Sequence, residues 1–348
     1  MSVTGLNASS AFDGAANKKK FDPKDLLVAF EQQLDESGCS VVDWKNPSSA
    51  STPAMYSAFF YSPGQGERTF DNTMKLSQGK PKAESMVSRW HEGFHAIDTS
   101  NVLAAHFTPY NMGGLNIVLS PQSFIKYIRL TERKAMAGAA MLGYIEGSDE
   151  MRKALSKEAA TFEDFEEALK AYEGDFEAAL NRVARQCLVR PSNELMVAWG
   201  DRKESEPVRL YNYYIWQALK EYSSSNRFIF GNQLHDYPSP IFCRLSTEDI
   251  LAIGNILGFS AFGAGKPDSY FTDGPQLMIK HQRWLDGQNV THAVPPENEL
   301  PTVKEALSMF YGMTPDEALL FSKNYRQGEP WPEAKGPDAS KLAFIPLG

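Results

Sequence analysis

The sequence predicts an α+β protein, predominantly α-helical, with a small antiparallel sheet packed beside one helix of the chain and a helical bundle following it. Two observations carry that prediction. Strand signals, short aromatic or β-branched runs bounded by Gly, Pro and Ser, are confined to residues 38–80. From Ser120 onward, capping residues are repeatedly followed by apolar residues at three- and four-residue spacing.

Residues 1–20 are rich in Ser, Ala, Gly and Asn, end in Lys18-Lys19-Lys20, and lack periodicity, so they read as a flexible tail. Asp22-Pro23 suits an N-cap followed by a first-turn proline. Leu26, Leu27, Phe30 and Leu34 then give a helix, running to about Glu36, its buried stripe. Cys39 to Trp44, Met55 to Tyr61 and Arg68 to Leu76 are candidate strands, the last two pairing as a hairpin through 62–67. Residues 99–119 include Thr108-Pro109-Tyr110-Asn111-Met112-Gly113-Gly114, whose turn chemistry indicates a surface loop or cleft wall. Ser120 caps a long helix with Pro121 at its first position, continuing to about Tyr144.

Further helices are expected from Thr161 to about Cys187, Pro191 to Gly200, Pro207 to Tyr222 and Ser246 to about Leu257. Pro275 to Leu285, Pro301 to Tyr311 and Pro315 to Tyr325 complete the set, and Gln327 to Gly348 reads as an extended surface tail. The domain organisation is thus a tail over 1–20, a domain over 21–225 and a helical C-terminal region over 226–348. The Gly/Pro/aromatic stretch 226–245 marks the boundary, and one continuous domain is the competing division. No internal repeat is evident.

Composition excludes little and suggests a globular chain. The 348 residues suffice for a sizeable core, and 42% hydrophobic with 22% charged residues is ordinary for soluble proteins. A net charge of −8 gives no electrostatic footprint for nucleic acid or an anionic membrane. Cys39, Cys187 and Cys243 are odd in number and far apart, which fits neither a disulfide framework nor a cysteine metal site. No run has the length of a transmembrane helix and the N-terminus lacks a signal peptide's apolar core, so the default location is cytoplasmic. Export by a specialised secretion machine would leave the same signature.

The chemistry is concentrated in Trp90-His91-Glu92-Gly93-Phe94-His95-Ala96-Ile97-Asp98. His-Glu-x-x-His is the pattern in which two histidines one helical turn apart hold a zinc ion and the glutamate acts on the attacking water. At 100° per residue, His91 and His95 lie about 40° apart on one face, with Glu92 roughly 60° beyond His95. Met86, Trp90, Phe94 and Ile97 form a separate apolar stripe that buries the back of the helix. Gly93 costs about 1 kcal/mol in a helix, which close approach of substrate or backbone would offset; a merely tolerated glycine is an equal reading.

A catalytic zinc needs a third protein ligand and an open fourth position. The extended pattern with a third histidine is absent, since Asp98 and Asn101 stand at its glycine and histidine positions. Glu132 is the leading candidate. It falls on one face with Ile125, Ile128, Ala135 and Ala139, where a carboxylate is costly unless paired or coordinating a metal. The small residues Ala135, Ala137, Gly138, Ala139 and Ala140 would let the two helices approach closely. Glu194 is the rival ligand and Glu146 a poorer one.

His91-Glu92-Gly93-Phe94-His95 followed by Thr131-Glu132-Arg133-Lys134-Ala135 resembles the gluzincin arrangement of the zincin superfamily, HExxH followed by ExxA. The similarity is greatest to bacterial metallopeptidase domains, covers roughly residues 55–145, and takes in nothing beyond about residue 226. The resemblance implies a zinc metallopeptidase with Zn2+ on His91, His95 and Glu132, Glu92 as general base and then general acid, and a peptide or protein substrate. Its strands beside the zinc helix would bind an extended peptide by strand addition or only cover the core.

Tyr110, His106, Tyr144 and His235 are conceivable oxyanion donors, each more simply an ordinary packed or surface residue. Asp98 is placed to orient a ligand imidazole or to end the helix as a surface charge. Two other functions fit the same residues: a helical binding or scaffold protein with a structural or absent metal, and a zinc hydrolase of a non-peptide amide. No heptad or clear patch fixes the oligomeric state.

Overall fold

A computed structural model describes residues 22–44, 54–61, 69–101, 117–186, 241–249, 255–257, 259–260, 279–281, 290–293, 297–324 and 345–346. The α+β, mainly helical class is as expected. Helix α1 (Lys24–Glu36) buries Leu26, Phe30 and Leu34, three members of its expected stripe, with Leu27 partly buried beside them. The N-cap position falls on Pro23 and not on Asp22 as expected, although the Asp22 carboxylate accepts the Lys24 N–H at 3.0 Å.

The strands β1 (Ser40–Trp44), β2 (Ala54–Tyr61) and β3 (Thr69–Ser77) form a sheet of order β1-β3-β2. β2 and β3 pair antiparallel, from Ala54 opposite Leu76 to Tyr61 opposite Thr69, as the hairpin reading requires. The sheet is nevertheless mixed rather than purely antiparallel. β3 returns between its two predecessors, so β1, which runs opposite to β2, lies parallel to it.

Helix α2 (Lys82–Asn101) carries the His-Glu-x-x-His segment and packs against β2 and β3. Its expected apolar stripe is buried at Trp90, Phe94 and Ile97 and half-buried at Met86. β4 (Ile117–Leu119) then leads into α3 (Pro121–Glu146), where the Ser120 side chain accepts the Ser123 N–H and Gly147 closes the far end in the left-handed region at φ 79°. β4 pairs in parallel with β5 (Ile241–Cys243), and the Leu245 N–H donates to the Ser123 hydroxyl at 2.8 Å, which anchors the start of α3.

α3 is the centre of the helical layer, with α1, α2, α4 (Asp149–Leu155), α5 (Phe162–Ala171) and α6 (Phe176–Gln186) packed around it. One continuous core runs from Phe30 and Phe94 through Ala135–Leu142 to Phe165 and Val183. The single helix expected from Thr161 to about Cys187 is two. Glu173 and Gly174 take positive φ values of 49° and 87°, and the Asp175 carboxylate accepts the Ala178 N–H to start α6. α4 is absent from the sequence reading, although Ser148-Asp149-Glu150 is a proper helix start whose Ser148 hydroxyl caps Met151.

Further along, the Ser246/Asp249 side chains form a reciprocal cap, as expected for a helix start. The helix does not reach Leu257, because Asn255–Ile256 (β6) turns back to pair with Phe259–Ser260 (β7). The helix expected over Pro275 to Leu285 is also corrected: Ile279–His281 (β8) pairs antiparallel with Val290–Ala293 (β9), which in turn pairs with Ile345–Pro346 (β10). Three β-branched residues in Val290–Ala293 and its neighbourhood supply a partner that helix-period counting does not see. Val303–Ala306 (α7), its π-turn Leu307–Tyr311, and Pro315–Asn324 (α8) are helical where expected. The loop expected over 99–119 is shorter, since α2 continues to Asn101 and β4 begins at Ile117; its remainder 102–116, the helices expected over Pro191–Gly200 and Pro207–Tyr222 and the tail 1–20 lie outside the described residues. Among the described residues no helix is long and apolar enough to cross a membrane.

Candidate metal centre

Two helices build the site, α2 supplying His91, Glu92 and His95 and α3 supplying Glu132. They come close because their contact face is glycine and alanine. At Gly138 a Cβ would collide with the Phe94 ring, so the aromatic of the motif helix lies directly on the backbone of α3. Gly93 answers to the same logic on the other side of α2, where a Cβ would stand 2.5 Å from Phe30 Cζ. Its absent side chain makes room for a core aromatic of α1, which meets Phe94 edge-on at 5.0 Å between centroids. The Arg89 guanidinium, bonded to both oxygens of Glu31 at 3.0 and 2.6 Å, ties the same pair of helices at the surface.

The imidazoles of His91 and His95 converge, with their Nε2 atoms 3.3 Å apart. The Glu132 carboxylate faces both, one oxygen 3.5 Å from His91 Nε2 and the other 3.6 Å from His95 Nε2. Those distances exceed an ordinary N–H···O hydrogen bond of about 2.7–3.2 Å. They are close to the roughly 3.4 Å that separates two ligand atoms each about 2.1 Å from one ion, with a different carboxylate oxygen turned to each imidazole. His91, Glu92 and His95 also offer ligand atoms within 4.8 Å of one another. That group could hold a metal ion, and the Glu132 carboxylate faces the same two imidazoles. The side chains of His91, His95 and Glu132 are 15–24% exposed, so they are partly open to solvent.

Electrostatics fit the same reading. Burial alone would lower the His91 imidazole, but the Glu132 carboxylate against it and the charges of Glu92 and Glu158 raise it to about 9. Burial and the neighbouring His91 charge hold His95 below its ordinary value. Burial would raise Glu132, yet His95 and His91 pull it down to about 2. Without an ion the centre therefore keeps one proton on His91 beside an ionised Glu132, a charge arrangement that a divalent cation replaces.

No protein family, characterised protein or solved structure matches this chain. The site is accordingly read from its own geometry. The other residues singled out in the sequence fall as follows. Of the stripe expected around Glu132, Ala135 and Ala139 are buried and the partly exposed carboxylate faces the histidines, while the Ile125 and Ile128 side chains lie outside those described. Glu146 is remote from the ligand set in role, accepting from the Ser148 N–H and hydroxyl to start α4. Tyr144 packs against Phe162 and Phe165 as a core aromatic. Asp98 takes Lys134 as its partner and not a histidine: the Lys134 ammonium donates to its Oδ1 in a buried ion pair. Glu194, His106, Tyr110 and His235 lie outside the described residues.

Sequence reasoning missed two charged groups beside the centre. Glu158, in the turn after α4, reaches His91 with its charge, and burial raises its own carboxyl. That turn is held by Ala159 packing on Met136 of α3 and by Lys157 bonded to Glu84 of α2 at 2.5 Å. Its approach depends on α4, which no periodicity in so short a helix announces. Lys134 had a visible signal, a lysine within a run of small residues that must be buried against α2.

Proposed function

We propose that the chain is a zinc metallopeptidase, its metal held by His91, His95 and Glu132. The observation that carries this reading is the convergence of two imidazoles, 3.3 Å apart at Nε2, on one carboxylate that turns a separate oxygen to each, at 3.5 and 3.6 Å. Softer sites would offer thiolates and harder ones mostly oxygen; two imidazoles and one carboxylate suit zinc. When bound, zinc supplies a Lewis acid that acidifies water and polarises a carbonyl.

The chain's own residues do the proton work. Glu92 follows His91 directly and belongs to the same group, where its carboxylate takes the proton of the attacking water and hands it to the leaving amine. Glu132 and the two histidines would hold the metal and, as three ligands, would leave a position for water. A structural zinc would use four protein ligands in a closed site, so the partial exposure of these side chains favours catalysis over a purely structural metal. β2, packed on the motif helix and at the edge of its sheet among the described residues, favours an extended peptide over a small amide, because such an edge can align a strand.

The test is digestion of a random peptide mixture by zinc-loaded wild type, Glu92→Gln and His95→Ala, followed by mass spectrometry. Wild type should cleave; Glu92→Gln should keep its zinc and lose roughly a hundredfold or more of the rate; His95→Ala should lose both. A zinc-loaded wild type that cleaves no peptide, or a Glu92→Gln enzyme of undiminished rate, would refute the reading.

A further inference from the structure

The buried pair Asp98–Lys134 lies one turn beyond the histidines and is used by nothing described so far. On α2, His91, His95 and Asp98 fall within about 60° of one another. On α3, Glu132 and Lys134 lie about 160° apart, with Ala135 and Gly138 in the arc between them. That arc faces α2, since Phe94 lies on the backbone of Gly138. Both ends of it are tied to the motif helix: Glu132 faces the imidazoles, and the Lys134 ammonium donates to Asp98 Oδ1.

The Lys134 and Asp98 side chains are only 4% and 2% exposed. Desolvating two charges makes such a pair a poor source of stability compared with apolar residues of the same volume. What it adds is direction. Asp98 Oδ2 is buried without a hydrogen-bond partner among the described residues, so the bond from Lys134 to Oδ1 is what holds this carboxylate there. A rotation of α3 by about 20° would carry a side-chain end, roughly 5.5 Å from the axis, by about 2 Å. That is the length of a whole zinc–ligand bond.

We propose that the Asp98–Lys134 pair is a positioning device for the metal ligands: it fixes the rotation of α3 against α2 and thereby the place from which Glu132 meets the two imidazoles. The inference rests on the metal reading above. Neither residue touches the ion or the substrate.

The test compares wild type with an Asp98→Leu/Lys134→Met double variant and with Asp98→Glu. The double variant removes both charges; Asp98→Glu keeps the charges and lengthens the link by one methylene. Circular dichroism of the metal-free proteins reports folding, chelator competition gives the zinc dissociation constant, and the visible spectrum of the cobalt(II) form reports ligand geometry. Both variants should fold, bind zinc about 10–100-fold more weakly and show altered cobalt spectra. A folded variant with zinc affinity within twofold of wild type and an unchanged cobalt spectrum overturns the proposal. If the double variant does not fold, Asp98→Glu decides by the same two readouts; if neither folds, the pair belongs to stability and the proposal falls. Wild type that binds no ion refutes the metal reading itself, whereas a metal-binding wild type beside equally competent variants refutes only the positioning role.

Discussion

At the scale of single residues, Gly93 sets how near α2 stands to α1, and Gly138 sets how near it stands to α3. Alanine at either position gains about 1 kcal/mol of helix propensity. It also drives a methyl into a buried ring, Phe30 in one case and Phe94 in the other. Overpacking of this kind costs about 1–3 kcal/mol, so packing outweighs propensity. Gly93→Ala should therefore lower the unfolding free energy by roughly 1–2 kcal/mol, measured by urea denaturation of the metal-free protein; a stabilised variant would show that Phe30 yields freely. The His-Glu-x-x-His residues were legible because their spacing alone puts two imidazoles on one face. Gly93's purpose was not, since the ring that needs the space is on α1, about sixty positions away in the chain. Asp98 was legible as a charge near the ligands but not in its partner, because Lys134 becomes its neighbour only when α2 and α3 pack.

Among elements, the α5–α6 break shows local chemistry overruling periodicity. Apolar spacing continues across 162–186, but Gly174 at φ 87° ends one helix and the Asp175 carboxylate begins the next. A Cβ at Gly174 would meet nothing within 4 Å, so its role is purely conformational. Gly174→Ala is expected to cost about 1–2 kcal/mol through the left-handed backbone alone. Thermal unfolding should show the loss, and an unchanged midpoint would contradict the assignment. The long helices α1, α2 and α3 were legible from caps and stripes, as were the β2–β3 partners. The parallel placement of β1, the short α4 and the β8–β9–β10 pairing were not, because each depends on which segment the chain meets after folding.

For the whole molecule, the charge state of the centre links stability to pH. In the metal-free protein the folded value of Glu132 lies below its ordinary 4.5, so its contribution is full above pH 4.5 and is lost as pH falls towards 2. The folded value of His91 lies above its ordinary 6.5, so its contribution is full below pH 6.5 and is lost as pH rises through about 9. The metal-free melting temperature should thus decline between pH 6.5 and 9. Zinc displaces the His91 proton, so the loaded protein should not show that decline; identical profiles with and without zinc would contradict the charge assignment. The central claim, that two imidazoles of α2 and one carboxylate of α3 form a single metal centre, is tested most directly by zinc stoichiometry and affinity of folded wild type and Glu132→Ala. The account predicts one zinc per wild-type chain and an affinity at least a hundredfold weaker in Glu132→Ala, from the loss of one of three protein ligands. A wild type that holds no zinc, or a Glu132→Ala protein that binds it as tightly as wild type, would contradict it.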